Sequence, residues 1–228
     1  MFGVTAPLYE DLIYNGRNTL IAGTTGSGKS VLLNGVINSI LYEDAANHQM
    51  ALIDLKIVEF SKYKNTTHCI GCATTARSAE QLLTSIYHII KARLTDMEAR
   101  GLTIYDGATL HLIVDEMAEL MLDGKECATL LQRICQIGRA AKVQVIAATQ
   151  CPLASVIPTK IKVNFPVIIG LHTRTKQDSR NIIEMAGCEK LPMYGQALIL
   201  KPGKDVEKIN IPMIPEEWLE KIIEYRTV

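Results

Sequence analysis

Short unbroken apolar runs alternate along the chain with longer stretches in which apolar residues recur every three or four positions. Thr19 to Ala22, Met50 to Ile53, Leu110 to Val114, Val143 to Ala148, Val167 to Leu171 and Ala197 to Leu200 are continuously apolar, as strands covered on both faces are. Between them, Ser30 to Leu41, Ala76 to Arg100, Cys127 to Ala140 and Asp178 to Ala186 carry helical spacing. Pro215 followed by Glu216 and Glu217 opens a last helix that runs to about Arg226. The alternation predicts an α/β fold, a mainly parallel sheet with right-handed crossovers flanked by helices. Neither an internal repeat nor a low-complexity linker divides residues 1–228, so one domain is expected.

With 228 residues, 48% of them hydrophobic, the chain can bury a full core. Its 24 basic and 24 acidic side chains cancel, so any contact with a polyanion must come from a local basic cluster. The apolar runs fall far short of the roughly 20 residues that span a bilayer, and no signal-peptide pattern precedes the first strand. A soluble, cytoplasmic protein is expected. Six scattered cysteines in this composition read as reduced thiols. Cys69 and Cys72 form a lone CxxC beside His68, and a zinc site would need further ligands at suitable spacing.

The candidate chemistry begins at Gly23-Thr24-Thr25-Gly26-Ser27-Gly28-Lys29-Ser30, which satisfies G-x-x-x-x-G-K-[ST] between a predicted strand and a predicted helix. Glycines there let backbone N–H groups converge on phosphate oxygens at a helix N-terminus, whose dipole favours anions. Lys29 is expected to reach the β and γ phosphates of ATP, and Ser30 to ligate Mg²⁺. A second strand, Leu110 to Val114, delivers Asp115 and Glu116 at its C-terminal end, where ligands bind in open α/β sheets. Asp115 is expected in the Mg²⁺ shell, and Glu116 to orient and deprotonate the attacking water. Gln150, after the strand Val143 to Ala148, either reports the γ-phosphate or caps the strand end.

Several stretches together resemble the FtsK/SpoIIIE family of hexameric DNA translocases. They are Leu20 to Ser30, Leu52-Ile-Asp-Leu-Lys-Ile-Val-Glu59, Ile113-Val-Asp-Glu-Met-Ala-Glu-Leu-Met121, Ile137-Gly-Arg-Ala-Ala141, Ala147-Ala-Thr-Gln150 and Gln177-Asp-Ser-Arg-Asn-Ile-Ile183. The likeness runs from about Leu12 to the last helix. It implies a RecA-like P-loop NTPase fold and a homo-oligomeric ring, probably six subunits, that drives double-stranded DNA through its central hole with ATP. It also implies that Gln150 is a sensor, that Arg139 reaches the neighbouring subunit's ATP, and that Lys162, Lys176 and Arg180 face DNA in the pore.

The sequence departs from the family pattern at three places. Cys151 stands where an arginine usually follows Ala-Thr-Gln, Leu55 replaces a usual proline, and Tyr194-Gly195-Gln196 replaces a glycine-aspartate turn. The stretch between the second strand and the acid pair is short, with no membrane anchor before the motor and no winged-helix module after it. The expectation is therefore a compact relative from a plasmid, phage or integrative element. Two other functions share these features: a conjugation coupling or type VII-like secretion ATPase that moves single-stranded DNA or protein, and an ATP switch that moves nothing. The match at Lys56 and Glu59 and the Asp178-Ser179-Arg180 segment favour the DNA motor, and a positioned base at Glu116 disfavours the switch.

Overall fold

The computed structural model describes residues 7–123, 125–150, 157 and 159–227. In chain order the elements are α1 (Pro7–Tyr14), β1 (Thr19–Ala22), α2 (Lys29–Tyr42), β2 (His48–Ile53), β3 (Cys69–Ala73), α3 (Ala76–Arg100), β4 (Thr109–Val114), α4 (Met117–Asp123) and α5 (Lys125–Ile137). They continue as β5 (Val143–Thr149), α6 (Thr159–Lys162), β6 (Val167–Gly170), α7 (Lys176–Ile183), β7 (Gln196–Leu200), β8 (Glu207–Asn210) and α8 (Glu216–Arg226). The strands form one sheet in the order β3-β2-β4-β5-β1-β6-β7-β8. The six from β3 to β6 run parallel, and the hairpin of β7 and β8 adds an antiparallel edge. The predicted α/β architecture is the observed one.

Strand residues alternate between two cores, which is why the inner strands read as continuous apolar runs. Leu112 and Val114 pack into the core beneath α3 and α5, whereas Ile113 between them faces the core beneath α2 and α8. Val145 and Ala147 join the first core, Ile146 and Ala148 the second. Each large aliphatic side chain fully buried in this way contributes about 1.5–3 kcal/mol relative to exposure. Among the described residues no helix is long and apolar enough to cross a membrane.

Local chemistry sets the helix ends. α3 starts at a capping box between Thr75 and Ser78 and stops where Gly101 takes φ 67°. α5 ends at Ile137, three residues before the predicted Ala140. The cause is Gly138, wedged so closely that a Cβ there would lie 2.6 Å from the Ile134 carbonyl oxygen and 2.8 Å from that of Val143. Arg139 therefore sits in a turn and not on a helix. α7 begins two residues earlier than predicted because Thr175 and Asp178 form a second capping box. It ends at Ile183, where Glu184 turns left-handed.

Five elements escape the sequence pattern, one of them the single turn α6. α1 is tied down by distant contacts, chiefly the Gln144 amide, which donates to the carbonyls of Leu12 and Arg17 at 2.7 Å each. α4 is about two turns after the acid pair, buried at Met117, Ala118 and Leu120. β3 is an edge strand with a register irregularity against β2, and β8 is an outer strand that is largely exposed. Neither edge needs the unbroken apolar run that marks an inner strand.

Candidate nucleotide-binding site

Register brings three strand ends together. Ala22 of β1 pairs with Thr149 of β5, and Val114 of β4 pairs with Ala147 of β5. Thus the Gly23 loop, Asp115-Glu116 and Gln150 all emerge at one edge of the sheet, although more than a hundred residues separate the first from the last. Thr25 to Ser30, Lys56, Glu59, Asp115 and Gln150 line a cleft of about 740 Å³ whose other wall is apolar, with Val31, Val58, Leu171, Tyr194, Ile211 and Met213, while the buried Glu116 is not among its lining residues.

The loop from Gly23 to Ser30 is folded to receive an anion. Gly26 and Gly28 hold φ 77° and 98°, and a Cβ on either would meet nothing within 4 Å, so both face open space. Gly23 is a closure point, where a Cβ would collide with Ser27 Oγ and Leu171 Cβ. α2 starts at Gly28 without a side-chain cap, and the buried Ser27 hydroxyl has no hydrogen-bond partner within the described residues. Thr24 is anchored by its N–H and its hydroxyl to the His172 carbonyl, at 3.0 and 3.2 Å. The buried Lys29 ammonium donates to the carbonyls of Gly23 and Thr24 at 2.8 and 2.7 Å. These features fit a nucleotide's phosphate chain: uncapped helix N–H groups, an orphan hydroxyl and a desolvated cation at the floor of a cleft.

Glu116 is buried and held on several sides. One carboxylate oxygen accepts the Thr149 hydroxyl at 2.8 Å and the Ala118 N–H at 3.3 Å, and the Gln150 N–H reaches both oxygens at 3.1 Å. The Gln150 side chain reaches the other way, its amide oxygen accepting the Thr25 hydroxyl at 2.7 Å. A strand end thus joins the loop to the acid. Lys56 lies 3.9 Å from the buried Glu116 and 3.5 Å from Glu119, and the contact with Glu119 is an exposed pair of small worth.

Electrostatics in the cleft is strained in both directions. Burial pulls the Lys29 ammonium down to about 8, against the opposing pull of Glu116 and Asp115. Burial also pushes the half-buried Asp115 carboxyl up to about 6, helped by the charges of Glu59, Asp54 and Glu116. A divalent cation would suit this crowd of carboxylates. Ser30 and Asp115 are the side chains that could hold one beside the phosphates. Among the described residues, no three histidine, cysteine, aspartate or glutamate side chains form a metal cluster of their own.

Three contributors were not assigned a role from the sequence. Thr149 clamps Glu116. Glu59 accepts the Ser30 hydroxyl at 2.6 Å. Asp54, buried at the end of β2, accepts the N–H groups of Glu59 and Phe60 at 2.9 Å each. Only the matches of Leu52 to Glu59 and Ala147 to Gln150 to the family pattern hinted at them. Leu55, where the family usually has proline, packs half-buried against the core. Tyr194 and Gly195 line the cleft, and Cys151 lies outside the described residues.

The remaining candidates lie away from the cleft. Arg139 is exposed at the opposite edge of the sheet, just before β5, where it borders a second cleft of about 900 Å³ with Tyr14, His48, Asp106 and Lys142. Lys176 and Arg180 are exposed four residues apart on α7, hence on one face. Asp178, between them, is committed to the Thr175 cap. Lys162 differs: it is half-buried and its ammonium donates to the Asn181 carbonyl at 2.7 Å. Cys69 and Cys72 are half-buried in β3.

The chain is similar to several known proteins. The model of the FtsK/SpoIIIE family matches residues 2–109. The protein described as DNA translocase FtsK in Treponema pallidum (strain Nichols) is 35% identical over 223 residues, covering 90% of this chain and 28% of that protein. Its counterpart in Helicobacter pylori (strain J99 / ATCC 700824) is 32% identical, covering 90% of this chain and 26% of that protein. The chain thus spans about a quarter of the length of these two relatives. Among solved structures, the pCW3 conjugation coupling protein TcpA with ATPγS superposes with a TM-score of 0.81 at 22% identity, over 93% of this chain and 66% of that one. The cytoplasmic domain of the Thermomonospora curvata type VII secretion ATPase EccC gives 0.76 at 19%, over 92% and 28%. At those identities the two structures speak for the fold.

Proposed function

The chain belongs to the FtsK/SpoIIIE family, and from that premise we propose that it is an ATP-hydrolysing motor that moves double-stranded DNA. The carrying observation is the bridge from Thr25 through Gln150 to Glu116, which links the anion-binding loop to a buried acid held in one orientation.

Residues 1–228 act in this reading as one RecA-like motor domain. The loop from Gly23 to Ser30 binds the ATP phosphates by its N–H groups, and Lys29 adds a cation to them. Ser30 and Asp115 hold Mg²⁺, which when bound neutralises charge on the phosphoryl oxygens. Glu116 takes the proton of the attacking water at a carboxylate oxygen, and the N–H of Gln150 keeps that oxygen aimed. Gln150 couples the loop to the acid, so that a change at Thr25 is felt at Glu116. Arg139 completes the site of a neighbouring copy in a ring, six subunits by family expectation, working in the cytoplasm. Lys176 and Arg180, with Lys162 behind them, face the DNA phosphates.

Coupling and secretion ATPases share the fold, so likeness of fold does not choose among these functions. Sequence relatives described as DNA translocases, at 31–35% identity, favour duplex DNA. ATPase rate measured with duplex DNA, single-stranded DNA and no polymer tests the reading. Stimulation by duplex alone is expected. Stimulation by single strands alone would move the coupling function ahead, and no response to either would favour the switch.

A further inference from the structure

The Ser30 hydroxyl has one proton and two lone pairs, and in this structure the proton has a fixed destination. Its oxygen lies 2.6 Å from Glu59 Oε1, a carboxylate oxygen that can only accept at neutral pH. The Ser30 lone pairs are thereby left for something else. A serine ligates a cation through a lone pair, so an acceptor that draws its proton away both orients the oxygen and makes it a better donor. Outer partners of this kind matter to metal sites nearly as much as the ligands themselves.

Glu59 is not placed there by a helix or a strand, and its position has to be held otherwise. The segment leaving β2 turns at once, with the Ile57 N–H on the Asp54 carbonyl at 3.3 Å. Asp54 Oδ2 then gathers the N–H groups of Glu59 and Phe60, and Phe60 is buried. The turn costs something, because Ile57 sits at φ 59°, a backbone region that β-branched residues avoid. Ile57 is 59% exposed, so burial of its side chain does not explain the conformation. Backbone strain of this kind persists only where the surroundings enforce it. Here the enforcement comes from the Asp54 carboxylate, and its product is the aim of Glu59.

We propose that Glu59 is a positioning residue for the Mg²⁺ of the nucleotide site, acting through the Ser30 hydroxyl and held in place by the strained turn that Asp54 anchors. The proposal rests on the reading of the Gly23 to Ser30 loop as an ATP site and adds to it a cleft-lining carboxylate that acts on the cation through the Ser30 hydroxyl. Replacing Glu59 by alanine removes the acceptor; replacing it by glutamine keeps a carbonyl oxygen that accepts the same proton.

The test is a Mg²⁺ titration of the binding of a fluorescent ATP analogue to the parent, Glu59→Ala and Glu59→Gln proteins, each first shown to melt within a degree or two of the parent. Glu59→Ala should need about 10- to 100-fold more Mg²⁺ for half-maximal binding, the usual loss on removing an outer partner of a metal ligand. Glu59→Gln should stay within about threefold of the parent, since the hydroxyl keeps an acceptor. An unchanged Mg²⁺ dependence in Glu59→Ala overturns the positioning role while leaving the ATP site standing. So does a glutamine variant as impaired as the alanine one, which would mean that charge and not the hydroxyl proton matters. A parent that binds the analogue at no Mg²⁺ concentration overturns the ATP site, and this inference with it.

Discussion

The backbone N–H of Gln150 lies 3.1 Å from each carboxylate oxygen of Glu116. A main-chain donor at the end of β5 thus fixes the acid at the end of β4, and no substitution at residue 150 other than proline removes it. What such a substitution would remove is the contact with Thr25. Geometry of the acid and communication with the loop are therefore separable.

Glu116→Gln should keep ATP bound and lower its turnover by about 10²- to 10⁴-fold, the usual contribution of a positioned base. Lys29→Ala should instead weaken binding, because it removes the buried cation at the floor of the cleft. Nucleotide binding and single-turnover hydrolysis, measured side by side, separate the two. A Glu116→Gln protein that hydrolyses at the parent rate would remove Glu116 from the chemistry.

Arg139→Ala should reduce hydrolysis by about 10³- to 10⁵-fold, the range seen for arginine fingers, with ATP binding nearly intact. Mixing it with Lys29→Ala subunits should restore some activity, because each supplies what the other lacks. An unchanged rate in Arg139→Ala alone would end the assignment.

The basic residues should divide into two kinds. Lys176→Ala with Arg180→Ala should lower the salt dependence of duplex binding by about two charges per engaged subunit and relax no sequence preference, because phosphate contacts carry none. Lys162→Ala should cost about 1 kcal/mol of stability by leaving the Asn181 carbonyl without its charged donor. Filter binding against salt, together with thermal melting, reads both. Equal loss of DNA affinity from all three with no loss of stability would favour a shared phosphate-gripping role instead.

Asp115→Asn should stabilise the protein without nucleotide. The Asp115 carboxyl stands at about 6 in the folded chain, above its ordinary value near 3.8, so ionising it costs folding free energy wherever it is charged in both states. The gain from asparagine is therefore fully present above pH 6 and fades as pH falls from 6 toward 4, where the folded parent takes up the proton. Allowing for the partial exposure of this side chain, about 1 kcal/mol or a few degrees in Tm is expected. Melting curves of both proteins from pH 4 to 8 check it, and a pH-independent difference would contradict it.

Residues that act as neighbours in the chain were legible before the structure. The loop from Gly23 to Ser30 and the Asp115-Glu116 pair are contiguous, and the apolar strands that carry them announce themselves through burial on both faces. What escaped depends on partners far apart in sequence. Thr149 meets Glu116 and Glu59 meets Ser30 only because β1, β2, β4 and β5 end side by side. Nothing local distinguishes Thr149 from a strand threonine, or Glu59 from a surface acid. β3 and α1 escaped for a related reason, since an edge strand and a short helix owe their existence to what they dock against. The end of α5 depended on the tight packing of Gly138 against two carbonyls.

The distance across the sheet has a bearing on how the protein behaves in bulk. Arg139 precedes the seven residues of β5, and the Gly23 loop lies beyond their far end, about 20 Å away at the usual rise of a strand. No rotamer of an arginine spans that gap, so if Arg139 completes a neighbour's site as proposed, a solitary molecule would own one half of each of two reaction centres and the whole of none. Its turnover would depend on encounter. Dilution would silence it as surely as an inhibitor, and a cell could set its output by how many copies it gathers in one place.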